Sequence, residues 1–164
     1  MRPTDLFDAA AIQQQAQDPR LGQFLYWEHP FPVNGGTRIA LEALKMKAEK
    51  QGLRYSLFSD GCFAGCASID RVDWDKGTAH LFYWVGVPFW NQGIGSWAVA
   101  QMLKIAHQWH DENRRLTTVF ANCLEENHPS HQVLRKNGFR DISHFNGTGA
   151  HGGKFEGRRW IRFS

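Results

Sequence analysis

The stretch from residue 79 to residue 97, AHLFYWVGVPFWNQGIGSW, joins an apolar strand-like run to a glycine-containing turn and the start of an amphipathic helix. The first turn of a helix leaves backbone N–H groups without acceptors, and it carries the positive end of the helix dipole. Gly93 and Gly95 have no Cβ to keep an anion away from the backbone. We therefore predict that Gln92, Gly93, Ile94, Gly95 and Ser96 bind a phosphate or pyrophosphate group.

The residues after these glycines exclude two better-known phosphate motifs. A dinucleotide site in the pattern G-x-G-x-x-G lacks its third glycine here, because Trp97 and Ala98 follow Gly95. A P-loop requires a Lys-Ser or Lys-Thr pair after its second glycine, and none follows. Taken alone, the remaining x-x-G-x-G pattern fits either another nucleotide-like ligand or a plain structural turn.

A second motif begins at Asn127 and reads NHPSHQVLRKNGF. Asn127 is a good N-cap, a proline is tolerated in the first helical turn, and Asn137-Gly138 is a helix-ending signal. We predict a helix of about ten residues after an apolar strand over residues 117–123. On these grounds Ser130 is either an ordinary first-turn residue or a hydroxyl placed for chemistry.

The two motifs together resemble the GCN5-related N-acetyltransferases (GNAT), in the branch typified by the ribosomal-protein acetyltransferases RimJ and RimL. The match to N-x-x-S-x-x-V-L-x-K-x-G-F is the more specific part. The resemblance implies an α/β fold with a mixed, mostly antiparallel sheet and helices on both faces. It also implies direct acetyl transfer from acetyl-CoA to a primary amine, on a protein N-terminus or a small molecule.

The same resemblance assigns roles to individual residues. The pyrophosphate of CoA would lie on the amides of residues 92–96, and its pantetheine would pair with the strand end formed by Val85, Gly86 and Val87, near the point where this strand parts from the strand at 118–123. A backbone N–H near Gly86 or Val87 would stabilise the oxyanion. Asn127 and Lys136 would contact CoA, and Ser130 would protonate the departing thiolate. The acceptor wall would include four residues of an aromatic segment: Tyr26, Trp27, Glu28 and His29.

The position of the general base departs from the family pattern. Many acetyltransferases carry a glutamate thirteen residues before the first loop glycine, and in this chain that position is His80. Imidazole titrates close to neutral pH and suits this task. The alternatives are that His80 packs at a strand edge while water takes the proton, that Cys123 acts as a nucleophile, or that the domain binds CoA without catalysis.

Bulk properties favour a single domain over residues 1–164. The chain is 42% hydrophobic, and no apolar run reaches the roughly 20 residues of a membrane helix. The polar start does not resemble a secretory leader, so we expect a cytoplasmic protein without membrane partners; a homodimer remains open. A net charge of +3 is too small to indicate specific nucleic-acid binding. His107 with His110 and His128 with His131 are each three residues apart, but no Cys or carboxylate cluster completes either pair, so we expect no metal.

The remaining pattern predicts the elements around these motifs. Met1-Arg2-Pro3 leaves little room for the front strand usual in the family, and Cys62 and Cys66, four residues apart, should share one strand face. The other predicted elements are a helix over 8–16, a loop or short helix over 24–32, a helix capped by Thr37 that ends near Gln51, strands over 55–58 and 62–69 joined at Asp60-Gly61, and strands over 141–145 and 155–163 around a loop at 146–154.

Overall fold

The computed structural model describes residues 1–25, 30–148 and 154–163. The helices are α1 (Ala9–Ala16), α2 (Pro19–Gly22), α3 (Gly35–Ala48), α4 (Ile94–Gln108) and α5 (His128–Lys136). The strands are β1 (Arg2–Pro3), β2 (Leu53–Ser59), β3 (Cys62–Asp73), β4 (Thr78–Val85), β5 (His110–Asp111), β6 (Arg114–Arg115), β7 (Thr118–Leu124), β8 (Arg140–Thr148) and β9 (Lys154–Phe163). No helix within these ranges is long and apolar enough to cross a membrane.

Seven strands form one sheet in the order β1-β2-β3-β4-β7-β9-β8. Every neighbouring pair is antiparallel except β4 and β7, which run parallel. Their pairing covers only the four partners from Thr78–Thr118 to Leu81–Ala121, although both strands continue further. The prediction of a mixed, mostly antiparallel sheet is confirmed, and the sheet contains a split where β4 and β7 separate.

Each face of the sheet has its own apolar cluster. On one face, α4 and α5 cover side chains that include Leu81, Ala121 and Trp160. On the other face, α1 and α3 lie over β2 and β3, and Ile12 packs with Phe63 and Trp84. Alternation along β4 therefore places Leu81, Tyr83 and Val85 toward α4, while the residues between them point to the opposite face.

The β2–β3 hairpin confirms one prediction and corrects another. Asp60 and Gly61 have φ values of 48° and 78°, and positive φ at both central residues is the signature of a two-residue type I′ turn. The register then shifts by one residue beside Gly65, because Leu57 pairs with Gly65 whereas Phe58 pairs with Phe63. The prediction that Cys62 and Cys66 share a face is wrong, since this bulge leaves Cys62 exposed and Cys66 buried.

The N-terminal region differs from the prediction at one helix start. The front strand β1 has two residues, as expected, and it pairs with β2. Helix α3 begins at Gly35 after Asn34, so the prediction of Thr37 as its cap is wrong. The reason is tertiary: Gln13 of α1 accepts the Gly36 N–H at 2.9 Å, and a Cβ at Gly36 would lie 2.1 Å from the Ala9 carbonyl oxygen.

Near the C-terminus the last two strands are longer than predicted. Strand β8 continues to Thr148 and β9 begins at Lys154, so both extend into the segment predicted as a loop. Strand β4 is shorter than predicted, because it ends at Val85 and a 3-10 turn over Val87–Phe89 follows.

Candidate functional site

A cavity of about 690 Å³ lies beside the end of β4, beyond the point where this strand separates from β7. One part of its wall comes from β4 and the start of α4, and another comes from α5. On the opposite face of the sheet it is closed by Leu21 at the end of α2, Phe24, Leu25 and Trp84. The cavity wall therefore includes residues from both faces of the sheet.

The glycine turn forms the end of the cavity next to α4. Asn91 and Gly93 have φ values of 60° and 77°, which direct the chain into the helix. A Cβ at Gly93 would find no atom within 4 Å, so its position is open space in front of the helix. The first backbone bond of α4 runs from the Trp97 N–H to the Gly93 carbonyl, which leaves the preceding N–H groups without helical acceptors. The geometry and the helix dipole make this an anion site.

Helix α5 presents its N-terminal residues to the middle of the cavity. Asn127 Oδ1 accepts the Ser130 N–H at 3.1 Å, which confirms the predicted cap. Because the cap occupies Oδ1, the Asn127 Nδ2 hydrogens remain as donors on a side chain that lines the cavity. The Ser130 hydroxyl is hydrogen-bonded to the Tyr83 hydroxyl at 2.9 Å, across the split from β4.

Tyr83 is a site residue that sequence reasoning missed. Its side chain lines the cavity, and burial raises the pKa of its phenol well above the usual value, although the bond to Ser130 opposes this shift. Tyr83 is therefore a neutral O–H donor throughout the physiological range. The only sequence signal was its place on the strand, two residues before Val85 on the same face.

Behind Ser130, Cys123 and His131 form a buried pair with Sγ and Nδ1 3.3 Å apart. His131 Nε2 lies 2.9 Å from the Glu125 carbonyl, which can only accept, so Nε2 carries the proton and Nδ1 accepts from the thiol. Burial raises the pKa of the Cys123 thiol to about 11, and Cys123 does not line the cavity. These features disfavour the alternative of Cys123 as a nucleophile.

The backbone at the end of β4 separates into groups that face β3 and groups that face the split. The Gly86 N–H donates to the Ala64 carbonyl of β3 at 2.8 Å, so it is not free to stabilise an oxyanion as expected. Because neighbouring residues of a strand alternate in direction, the Val85 backbone faces the split. The Val85 carbonyl accepts the Trp90 Nε1–H at 2.6 Å. The Val85 N–H faces the same side as the carbonyl and is directed at the cavity.

The remaining wall is basic and tied to the glycine turn. Arg135 and Lys136 line the cavity from the last turn of α5, and the Arg135 guanidinium lies 5.3 Å from the centre of the Trp160 ring. The Asn137 amide donates to the Ser96 carbonyl at 3.2 Å and to the Val133 carbonyl at 2.9 Å. The end of α5 thus fixes the beginning of α4.

His80 lies on the face of β4 opposite to Tyr83, and it is not in the cavity wall. Its Nδ1 is 3.0 Å from Asp70 Oδ1 on β3, and an ionised carboxylate only accepts, so Nδ1 carries the proton. Its Nε2 is buried and has no hydrogen-bond partner among the described residues. Its cross-strand partner on β7 is Phe120, one position before the end of the parallel pairing.

The structure brings most of the predicted site residues together. Eight of them line the cavity, namely Val85, Gly93, Ile94, Gly95, Ser96, Asn127, Ser130 and Lys136. Four do not: His80, Gly86, Val87 in the 3-10 turn, and Gln92, whose side chain donates to the Pro88 carbonyl instead. The predicted acceptor residues Tyr26, Trp27, Glu28 and His29 lie outside the described ranges. Within those ranges, no group of three or more His, Cys, Asp or Glu side chains is placed to hold a metal.

Comparisons with known proteins identify the same kind of fold. The profile of the family described as "Acetyltransferase (GNAT) domain" matches residues 1–140. No curated protein sequence matches the chain. Among solved structures, a RimL ribosomal L7/L12 α-N-protein acetyltransferase in complex with coenzyme A has a TM-score of 0.86 and 19% sequence identity, over 99% of this chain and 92% of that chain.

Two further structures extend this likeness. RimJ from Mycobacterium smegmatis, in complex with CoA-disulfide, has a TM-score of 0.84 and 21% identity, over 99% of this chain and 80% of that one. A spermidine N-acetyltransferase from Vibrio cholerae, in complex with CoA and spermine, has a TM-score of 0.81 and 12% identity, over 99% and 93% of the two chains. At these identities the likeness shows the fold.

Proposed function

Because this chain belongs to the GNAT family of acetyltransferases, we propose that its cavity binds acetyl-CoA and that the acetyl group passes directly to a primary amine. The observation that carries the proposal is the cavity beside the separated end of β4, which connects an anion site at the start of α4 with the Tyr83–Ser130 hydroxyl pair. An N-acetyltransferase needs this combination: a place for phosphates, a channel for the thioester and a proton donor for sulfur.

The residues present fit acetyl-CoA. The open space before Gly93, the free N–H groups of the first turn of α4 and the nearby Lys136 suit its phosphates. The Val85 N–H and the Asn127 Nδ2 group suit the amides of the pantetheine arm. Acetyl-CoA supplies an activated acyl group to this site, and the chain supplies alignment and proton transfer.

In this proposal, Ser130 supplies a proton to the sulfur that leaves. Its hydroxyl can donate to a thiolate in the cavity while its oxygen accepts a proton from Tyr83. Because burial raises its pKa, Tyr83 keeps its phenol proton at physiological pH and can donate it to Ser130. Cys123 remains a thiol in this reading, and no covalent acyl-enzyme is required.

On the amine side, His80 is our candidate for the proton acceptor. Its lone pair at Nε2 is free, since Asp70 fixes the proton at Nδ1. The acceptor would approach from the face of the sheet that carries His80 and Trp84, where we expect Tyr26, Trp27, Glu28 and His29 to form part of the wall. The RimL neighbour is named for a protein α-amine and the Vibrio cholerae neighbour for spermidine. We propose an acceptor from these classes, and action in the cytoplasm, as monomer or homodimer.

A matched pair of glycine variants tests the phosphate site. Gly93 and Gly61 have nearly equal φ values of 77° and 78°, and at both positions a Cβ would meet no atom within 4 Å. Gly93→Ala and Gly61→Ala should therefore lose similar stability, about 1 kcal/mol each. Only Gly93→Ala should lose the rise in melting temperature that acetyl-CoA produces in the wild type by binding the folded state.

The readouts are thermal unfolding with and without acetyl-CoA, and thiol release with a panel of peptide and small amines. Equal acetyl-CoA shifts in both glycine variants would refute the phosphate-site assignment. Thermal shifts without thiol release on every amine would favour the alternative, a CoA-binding module without catalysis.

A further inference from the structure

We infer that Asp70 is a positioning residue, held in turn by Ser68, that keeps His80 in the tautomer with a free Nε2 lone pair. The inference rests on the proposed acetyl transfer, because it assigns the residues that prepare the proton acceptor for the amine. Asp70 contacts the His80 ring, Ser68 contacts Asp70, and neither lines the cavity, so we expect any effect they have on the reaction to pass through His80.

The three side chains form a directed chain of hydrogen bonds on one face of the sheet. The Ser68 hydroxyl donates to Asp70 Oδ2 at 3.0 Å, and Asp70 Oδ1 accepts the His80 Nδ1–H at 3.0 Å. Asp70 and His80 are directly opposite each other on β3 and β4. The carboxylate is thus held from both sides. Because it can only accept, it favours the imidazole tautomer that carries its proton on Nδ1.

The other ring nitrogen of His80, Nε2, is the atom that indicates a function. His80 Nε2 is buried and has no hydrogen-bond partner among the described residues, and His80 is 16% exposed. A buried polar atom without a partner is uncommon and costs stability. A lone pair left free is what a general base needs.

The position of His80 relative to the split supports this role. The parallel pairing of β4 with β7 ends at Leu81–Ala121, one residue beyond His80. Two and four residues further along the same face are Phe82 and Trp84, and Trp84 lines the cavity. His80 therefore lies at the closed end of the split, on the face from which the amine would approach.

Its surroundings leave Asp70 as the controlling charge. On β3, Asp70 and Ser68 face the ring, and on β7 the partner residue is the apolar Phe120. Asp70 is the charged group recorded in contact with His80 among the described residues. It therefore has two effects: it sets the tautomer before the reaction, and it stabilises the imidazolium afterwards.

The step balances as follows. As the amine nitrogen forms its bond to the acetyl carbon, it gives a proton to His80 Nε2 through a water molecule, because His80 does not line the cavity itself. The C–S bond breaks, and the sulfur takes a proton from the Ser130 hydroxyl. The imidazolium at His80, stabilised by the Asp70 carboxylate, returns its proton to solvent. Ser130 takes back a proton from Tyr83, and Tyr83 in turn takes one from solvent once the cavity is empty.

The first test is a measurement of the His80 tautomer by ¹⁵N NMR of the ligand-free protein, with His80→Gln used to assign the signal. We expect the proton at Nδ1 in the wild type and a shift toward the Nε2–H form in Asp70→Asn. This readout does not depend on turnover. A wild-type His80 protonated at Nε2 would overturn the inference.

The second test is the pH profile of kcat/KM with one amine for all variants. His80→Gln should lower kcat by about 10²-fold or more, and Asp70→Asn by at least about 10-fold, with little change in the KM of acetyl-CoA. The double variant should match His80→Gln, because Asp70 acts through His80. Ser68→Ala should show a smaller loss in the same direction, whereas Asp73→Asn, which removes a β3 carboxylate bound to Lys76, should retain wild-type turnover.

The outcomes separate this inference from the proposed function. An active wild-type enzyme whose Asp70→Asn variant keeps both its rate and its pH profile would overturn the role of Asp70. An inactive wild type that nevertheless binds acetyl-CoA would overturn the proposed catalysis, while the NMR result would still decide whether Asp70 sets the tautomer.

Discussion

Replacement of Tyr83 by phenylalanine should slow acetyl transfer through Ser130 while leaving the cavity shape unchanged. The substitution removes one oxygen atom, the partner of Ser130 Oγ at 2.9 Å, and keeps the ring that lines the cavity. The Asn127 side chain would still accept the backbone N–H of Ser130, so Ser130 would keep its position. What is lost is the second donor behind the serine hydroxyl.

The magnitude follows from the energy of one hydrogen bond. A net contribution of about 0.5–1.5 kcal/mol corresponds to a fall of about 2- to 12-fold in kcat if the bond matters only in the transition state. Loss of Ser130 itself removes the donor to sulfur, for which about 10²-fold or more is expected. If Tyr83 acts through Ser130, the Tyr83→Phe/Ser130→Ala double variant should be no slower than Ser130→Ala alone.

The assay is thiol release at saturating acetyl-CoA with a single amine, together with the thermal shift that acetyl-CoA produces. Tyr55→Phe is the matched control, because it removes the same hydroxyl from β2, outside the cavity wall. Full additivity of the two substitutions would refute the relay, since Tyr83 would then act independently of Ser130. Wild-type kcat in Tyr83→Phe would refute any role for its hydroxyl.

Measurements of unfolding test two further features, the Asn127 cap and the buried Cys66 thiol. Asn127→Ala should lower the free energy of unfolding by about 1 kcal/mol through the lost cap and weaken acetyl-CoA binding, whereas Asn34→Ala, at a helix start without a side-chain cap bond, should change unfolding little. Burial raises the pKa of the Cys66 thiol from 9.0 to about 12, so the folded state retains this proton after the unfolded chain releases it. Stability should therefore fall above pH 9, by up to about 1.4 kcal/mol per pH unit, and Cys66→Ala should flatten that fall in denaturant titrations.

For each of these measurements, one outcome would contradict the prediction. Equal losses of stability in Asn127→Ala and Asn34→Ala would show that the Oδ1 bond to Ser130 contributes nothing measurable. A slope above pH 9 that is the same with and without Cys66 would show that other groups cause the alkaline loss.

Local signals in the sequence predicted correctly those turns and helix ends whose backbone conformation depends on neighbouring residues. Asp60-Gly61 specifies its turn because both positions need positive φ, and Asn127 specifies a helix start because its side chain reaches Ser130. The RimJ/RimL-like pattern then gave the family, which the profile match confirms. Most of the predicted phosphate-site residues also line the cavity for this local reason.

Contacts between distant segments account for the failures. Thr37 is a favourable cap residue, but the contact of Gln13 of α1 with Gly36 accompanies a helix start three residues earlier, with Asn34 at the cap position. The bulge beside Gly65 depends on its partner strand and reverses the expected face of Cys62. Tyr83 could not be paired with Ser130 from sequence, because 47 residues separate them and only the split brings their hydroxyls together.

The split itself has a consequence for how the molecule divides its backbone hydrogen bonds. Four residue pairs join β4 to β7, so the ends of both strands expose donors and acceptors that a continuous sheet would have satisfied internally. A pantetheine chain carries amides at a spacing suited to such groups, and in the split it would act as a partial strand between the two halves of the sheet. Loading the cosubstrate would then complete the architecture as well as supply the acyl group, so the sheet would be most continuous just before the reaction. Release of free CoA would open the split again, so each turnover would change how many of the sheet's backbone groups are hydrogen-bonded.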